Sequence, residues 1–349
     1  MNVTTEDRLF EMTLPATGET AKPPARGRRV LRTLLWATVG AVGAITAVAA
    51  IGASYEMVSG SQDLSAYPPA GRLVDVGGYR MHLDCRGEGA PTVVMDAGLG
   101  GSSLDWSLVQ AELATRTRVC TYDRAGMGWS DASPLPRTPG HIAEELHTLL
   151  TNADIAGPYV LVGHSLAGKN IRMLAAAHPD DVAGMVLVDA RSELVDTLPP
   201  AAEADAFRVA LGVQGTVYSL ARRLGVARAF GASLAGGPLL SPAIAAQMAL
   251  LQTQTAAIDE TTKEGLARSA NDAALAKSTL GSMPVVVIAS AASMADIPNW
   301  STAQHQLAVL STQGHLVIAE HSGHAVQIEQ PDIVIDSISQ VLADVRGDR

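Results

Sequence analysis

The stretch "YVLVGHSLAGKN", Tyr159 to Asn170, decides how the chain is read. Its first half is an unbroken apolar run of the kind that a strand buried on both faces requires. Its second half opens "LAGKNIRMLAAAHP", where Ile171, Leu174 and Ala175 fall on one side of a predicted helix. Ser165 stands at the junction, with Gly163 two residues before it and Ala167 two after. A serine on a sharp strand-to-helix bend is the nucleophile pattern G-x-S-x-G, here with alanine at the second glycine position. The bend needs small neighbours because a larger side chain would collide with the strand or helix backbone. Gly163 meets that need fully, and Ala167 adds one methyl group that a negative φ accommodates.

Outward from this point, strand and helix signals alternate. "RLVDVG" and "YRMHLDC" flank Gly77 and Gly78 and predict an antiparallel hairpin. Apolar runs follow at "TVVMDAG", "TRVCTYD", "YVLVGH", "GMVLVDA", "MPVVVIAS" and "HLVIAE". Between them "HIAEELHTLLTNA" places Ile142, Leu146, Leu149 and Leu150 at helical spacing, and "IVIDSISQVLADV" closes the chain in the same way. Such alternation predicts an α/β fold with a mostly parallel sheet covered on both faces. Residues 191–282 break the rhythm with alanine-rich pieces such as "EADAFRVALG" and "SPAIAAQMALLQTQTAAI". A structureless loop of that length is improbable in a compact domain, so this interval is read as a helical cap.

Before the hairpin, Thr33 to Tyr55 carries no formal charge over more than the roughly 20 residues that cross a bilayer as a helix. Arg26, Arg28, Arg29 and Arg32 precede it and Glu56 follows, which by the positive-inside rule puts the N-terminus in the cytoplasm and the rest outside. A cleaved signal peptide is the alternative, since "AVAA" at Ala47 to Ala50 has the small residues of a processing site. The long polar leader and long apolar run favour an anchor. The expected organisation is a cytoplasmic tail at 1–32, a transmembrane anchor at 33–55, a linker at 56–71 and a domain at 72–349 that contains the cap. A net charge of −10 without clustered Lys and Arg argues against a nucleic-acid partner and for a small-molecule one. The oligomeric state leaves no trace in the sequence. The chain has two cysteines, Cys85 and Cys120, and both lie in the exported part, where a pair can bridge. Their spacing alone does not decide it.

A serine hydroxyl becomes a nucleophile when a base takes its proton and an acid holds that base. Of the nine histidines, His324 is the expected base, because it follows the last strand signal and Gly323 on a loop that can fold back over the sheet edge. His321 is the reserve, and His164, His82, His141, His147 and His178 read as turn, strand or surface residues. Asp189 ends the strand "GMVLVD" and is the preferred acid, with Asp296 after the next strand as its competitor. Asp123, beside Arg124 and Gly126, reads as a structural ion-pairing residue. An oxyanion site needs backbone N–H donors. The amide of Leu166 follows the serine directly, and Leu99 in the glycine-rich "DAGLGGSSLDW" is the second choice. That loop lacks the Lys-Ser/Thr pair of a phosphate loop, and no spaced metal-ligand cluster is evident, so neither cofactor nor metal is expected.

Together, "VDVGGYRMHLDCRGEGAPTVVMDAGLGGSSLDW", "YDRAGMGWSD", "GPYVLVGHSLAG", "VAGMVLVDA" and "SGHAVQIEQPDIV" resemble the α/β-hydrolase superfamily, in order and across Arg72 to Val345. The resemblance implies an eight-stranded, mostly parallel sheet, a cap after the sixth strand, and Ser165, His324 and an acid as the triad. That family usually carries its acid after the seventh strand, near Ser293 here, where no carboxylate stands; some members carry it after the sixth, where Asp189 lies. The implied topology sets Cys85 near Cys120, which makes them candidates for a disulfide. The implied activity is a serine hydrolase acting on an ester, thioester or amide through an acyl-enzyme. Acyl transfer, cofactor-free lyase or perhydrolase chemistry on the same residues, or a ligand-binding protein without turnover, are the alternatives.

Overall fold

The computed structural model describes residues 25–197, 201–226 and 239–348. Positions 1–24 of the expected tail and parts of the expected cap lie outside them. The chain divides into two units, Met1–Ala50 and Ile51–Arg349. Helix α1, Ala25–Ala66, contains a stretch from Gly27 to Gly60 whose most apolar window has a mean hydropathy of 2.0 with none of it buried. It is long and apolar enough to cross a membrane. The helix does not stop at the polar segment expected to be a linker. Residues 56–66 continue it, because the first strong breakers are Pro68 and Pro69, which lack the N–H that a further turn needs.

Eight strands form one sheet: β1 Arg72–Asp75, β2 Arg80–Arg86, β3 Thr92–Asp96, β4 Val119–Tyr122, β5 Tyr159–His164, β6 Val182–Val188, β7 Val285–Ser290 and β8 Gly314–Ala319. Their order is β1-β2-β4-β3-β5-β6-β7-β8. β1 and β2 form the predicted antiparallel hairpin, β2 runs antiparallel to β4, and every later pairing is parallel. The central strands read as continuous apolar runs because successive residues serve opposite faces. Leu161, Met185, Leu187, Val285 and Val287 pack on one face with Leu146, Leu149, Ile171 and Leu174. Those four come from α3, Pro139–Asn152, and α4, Ala167–Ala177. Val160, Val162, Val186, Val188 and Val286 pack on the other, against Val109, Leu113, Val334, Ile338 and Val341. Val109 and Leu113 belong to α2, Ser107–Leu113, and the last three to Pro331–Arg346.

Among its described residues the insertion after β6 is mainly helical. It comprises Glu193–Thr197, Ala201–Arg223, Pro242–Gln252, Thr255–Ala267 and Asp272–Leu275. Its underside meets the core through buried charges. Lys169 contacts Asp272 at 2.6 Å, Arg172 contacts Glu193 at 2.7 Å, and Arg124 contacts Glu264 at 3.0 Å. Arg137 reaches both Glu264 at 3.2 Å and Glu260 at 3.4 Å. Buried pairs recover little more than their own desolvation cost, so this seam dictates where the cap sits more than how stable it is.

At the antiparallel edge, Cys85 stands opposite Cys120 in the β2–β4 register and the two are joined as a disulfide. The bridge closes a loop of sequence separation 35 that contains all of β3. Closing a loop of this length removes entropy from the unfolded chain worth roughly 2–4 kcal/mol. Reduction, or the Cys85→Ser/Cys120→Ser double substitution, is therefore expected to lower the unfolding free energy of the folded domain by that amount. Chemical denaturation with and without reductant measures it.

Candidate active site

Ser165 is held at φ 52°, a left-handed conformation that costs a residue with a Cβ about 1–2 kcal/mol. Packing over-determines the bend. A Cβ on Gly163 would lie 2.8 Å from Ile171 Cδ1 and 2.9 Å from the Ala167 backbone. A Cβ on Gly168 would lie 2.6 Å from Ala190 Cβ. The glycine required on the helix side is thus residue 168, where α4 passes closest to the end of β6. Ala167 is buried and lies outside the left-handed region, so its methyl group fits.

Asp189, directly after β6, is also left-handed, at φ 40°. The two bends are stitched together: Ser165 N donates to Val188 O at 3.1 Å, and Arg191 N donates to Ser165 O at 2.9 Å. The Ser165 hydroxyl then lies 2.9 Å from His324 Nε2, and His324 Nδ1 lies 2.6 Å from Asp189 Oδ2. Because a carboxylate only accepts, Nδ1 carries the proton and Nε2 is left to accept from the serine. The His324 side chain is 44% exposed and Asp189 is fully buried, so the chain of contacts is open at the serine end and closed at the carboxylate end. Asp296, the competing carboxylate, is exposed at the end of Ala291–Asp296 and makes no hydrogen bond to His324 among the described residues.

Burial alone would raise the Asp189 carboxyl. Hydrogen bonds outweigh it and hold the group below the usual carboxylate range. Besides His324, Ser293 Oγ donates at 2.5 Å, Trp300 Nε1 at 2.7 Å and Ser290 N at 3.0 Å. Ser293 occupies the position after β7 where the resembling family usually keeps its acid, and it serves the acid that stands one strand away. His164, read as a turn residue, braces the other side of the base. Its Nε2 donates to the His324 carbonyl at 2.8 Å. Burial first, then the nearby His324 ring, push its pKa down to about 3, so it stays a neutral donor through the physiological range. His321, the reserve base, instead donates its backbone N–H to the side-chain oxygen of Gln330. Sequence reasoning had no handle on Ser293, Trp300 or His164, since each acts on a residue more than a hundred positions away or across a strand end.

The glycine-rich loop after β3 runs against the serine. A Cβ on Gly98 would lie 2.7 Å from His164 Nδ1 and 3.3 Å from Ser165 Cβ. Among the described residues, neither the Leu99 nor the Leu166 amide donates to a protein acceptor. Asp123 pairs with His82 Nδ1 at 2.9 Å and accepts from Ser103 N at 2.6 Å, a structural role that fixes the start of this region. The arrangement as a whole suits proton transfer from a hydroxyl and stabilisation of an adjacent oxyanion.

Residues 93–337 match the profile of the alpha/beta hydrolase family. The chain belongs to this family. Among curated relatives of this alpha/beta hydrolase, an uncharacterized protein of Schizosaccharomyces pombe is 30% identical over 237 residues, covering 67% of this chain and 43% of the relative. The uncharacterized protein YqjL of Bacillus subtilis is 36% identical over 115 residues, 33% of this chain and 46% of its own. The chain spans less than half the length of these curated relatives. Among solved structures, a thermophilic esterase from Thermogutta terrifontis superposes with a TM-score of 0.59 at 22% identity, covering 78% of this chain and 98% of the esterase. That likeness is one of fold.

Two outcomes are expected from the acid of this alpha/beta hydrolase. Asp189→Asn lowers kcat by about 10⁴-fold by disturbing the His324 tautomer, and Ser293→Asp in that background recovers a measurable part by supplying the charge from β7. Since the folded pKa of Asp189 lies below its unfolded value, its stabilisation is present above about pH 4 and is lost as pH falls through the folded pKa. The melting-temperature gap between wild type and Asp189→Asn therefore narrows in acid, as a pH series of thermal melts will show.

Proposed function

We propose that the protein is a serine hydrolase that cleaves an ester, thioester or amide through an acyl-enzyme. The observation that carries this reading is the continuous contact from Ser165 Oγ to His324 Nε2, at 2.9 Å, and from His324 Nδ1 to Asp189, at 2.6 Å. In the proposed cycle, Ser165 Oγ attacks the substrate carbonyl while His324 Nε2 takes its proton. Asp189 stabilises the imidazolium, and the Leu166 and Leu99 amides receive the negative oxygen of the tetrahedral intermediate. Collapse expels the alcohol, thiol or amine, which takes the proton from His324. Water, deprotonated by the same nitrogen, then attacks the acyl-enzyme and releases the acid with Ser165 restored.

The substrate proposed is small or lipid-like. A cavity of about 300 Å³ adjoins Leu99 and Gly100 and is lined by Leu211, Tyr218 and Ile258 together with Gln214 and Thr261. Its size suits a short acyl or alcohol group, and its lining mixes apolar surface with a few polar atoms. We further propose that α1 anchors the enzyme as a single span, with the N-terminus in the cytoplasm and the hydrolase outside. The charge-free run and the arginines before it support this orientation.

Ser165→Ala is expected to abolish fluorophosphonate labelling and to lower p-nitrophenyl ester hydrolysis by at least about 10⁴-fold with an unchanged melting temperature. Labelling that persists in this variant overturns the assignment. A chain-length series of p-nitrophenyl esters is expected to peak at short acyl groups, as the cavity volume dictates.

A further inference from the structure

Among the described residues, Arg124 is the most heavily engaged side chain outside the proposed triad, and its four partners come from β3, the loop after it and the cap. It is buried at the end of β4. Nη1 donates to the Ala97 carbonyl at 2.5 Å and to Asp96 Oδ1 at 2.7 Å. Nη2 donates to the Gly98 carbonyl at 2.7 Å and to Glu264 at 3.0 Å, and Nε donates to Glu264 at 3.0 Å. Asp96 in turn accepts from Asn170 Nδ2 at 2.9 Å, on the helix that begins just after Ser165. Glu264 belongs to the cap helix Thr255–Ala267.

That helix lies directly over the glycine-rich loop. Thr261 sits where a Cβ on Gly100 would fall 3.1 Å from its Oγ1. A Cβ on Gly265 would fall 3.7 Å from Leu99 Cδ2. Thr261, Glu264 and Gly265 share one helical face, so the residues that cover the loop and the residue that binds Arg124 arrive together. The Gly98–Leu99 peptide is planar and trans, so holding its carbonyl toward Arg124 turns the Leu99 N–H the opposite way and fixes its direction.

We propose that Arg124 is a positioning residue that aims the Leu99 amide through the Gly98 carbonyl. Glu264 on the cap holds Arg124 in that role, so seating of the cap helix and completion of the oxyanion site are one event. The inference rests on the serine-hydrolase reading, with Leu99 as an oxyanion donor. Its physical basis is geometric economy: a guanidinium offers five N–H donors in a fixed fork, enough to hold two carbonyls and two carboxylates at once. Lysine, with three donors on a point charge, cannot reproduce the fork.

The test uses the full-length chain in detergent, with active sites titrated by fluorophosphonate so that kcat refers to competent enzyme. Glu264→Gln is expected to lower kcat for a p-nitrophenyl ester about 10–100-fold, with KM changed less than about threefold. A phenylboronic acid, whose adduct places an oxyanion in the site, is expected to bind more weakly by the same factor. The shape of the pH profile stays that of the wild type, because Ser165, His324 and Asp189 keep their contacts. Arg124→Lys is expected to show the same pattern and decides the matter if Glu264→Gln does not fold. Asp259→Asn, on the same helix but paired with Arg223 of the neighbouring cap helix at 2.6 Å, serves as the control and keeps kcat within about twofold. A kcat per titrated site within twofold of wild type in both Glu264→Gln and Arg124→Lys overturns the coupling. Should Ser165→Ala be inactive in the same assay, that result leaves the serine-hydrolase reading standing; hydrolysis that survives Ser165→Ala overturns both.

Discussion

The structure depends on a pair of left-handed residues at the ends of neighbouring strands. Ser165 after β5 and Asp189 after β6 both have positive φ, and backbone hydrogen bonds run from Ser165 N to Val188 O and from Arg191 N to Ser165 O. Neither conformation is favourable alone. Ser165 is held because the backbone at the end of β6 satisfies its N–H and carbonyl, Asp189 because its N–H donates to Ile288 O on β7 at 2.7 Å, and Gly163 and Gly168 leave room for the crossing. The chain thereby brings a hydroxyl and a carboxylate to the same rim, at a spacing that one imidazole bridges.

Support for that imidazole comes from opposite directions. Asp189 receives hydrogen bonds from the end of β7 and the segment after it, through Ser290, Ser293 and Trp300. His164, next to the serine, grips the His324 backbone. His324 is therefore clamped at its ring by Asp189 and at its main chain by a neutral histidine, and this is how a loop residue acquires the precision of a strand residue. The nearby cap is placed by charge: among the described residues, Arg124, Arg137, Lys169 and Arg172 on the core meet Glu193, Glu260, Glu264 and Asp272 on the insertion.

Much of the fold was legible because its signals are local. Runs such as Tyr159–His164 and Val285–Ser290 coincide with strands, since a strand buried on both sides must be apolar throughout. The bend at Ser165 was legible because its steric demands fall within a few residues. The end of α1 was not, since polar composition between Glu56 and Ala66 suggests a linker while nothing there forbids a helix. The supports of the candidate site were also illegible. A buried histidine and a serine that donates a hydrogen bond to a carboxylate at the end of the neighbouring strand look, in one dimension, like any other polar residues, and the charged seam joins positions separated by up to 140 residues.

The seam has a consequence for how such a lid can be exchanged. Its cationic half is built wholly from residues outside the insertion, at positions that the sheet and its helices fix on their own. A foreign insertion would need only carboxylates at matching places on its underside to register on this core, whatever its upper surface or inner lining. Specificity can thus be re-tailored wholesale, by grafting a module, while the chemistry beneath it is left alone.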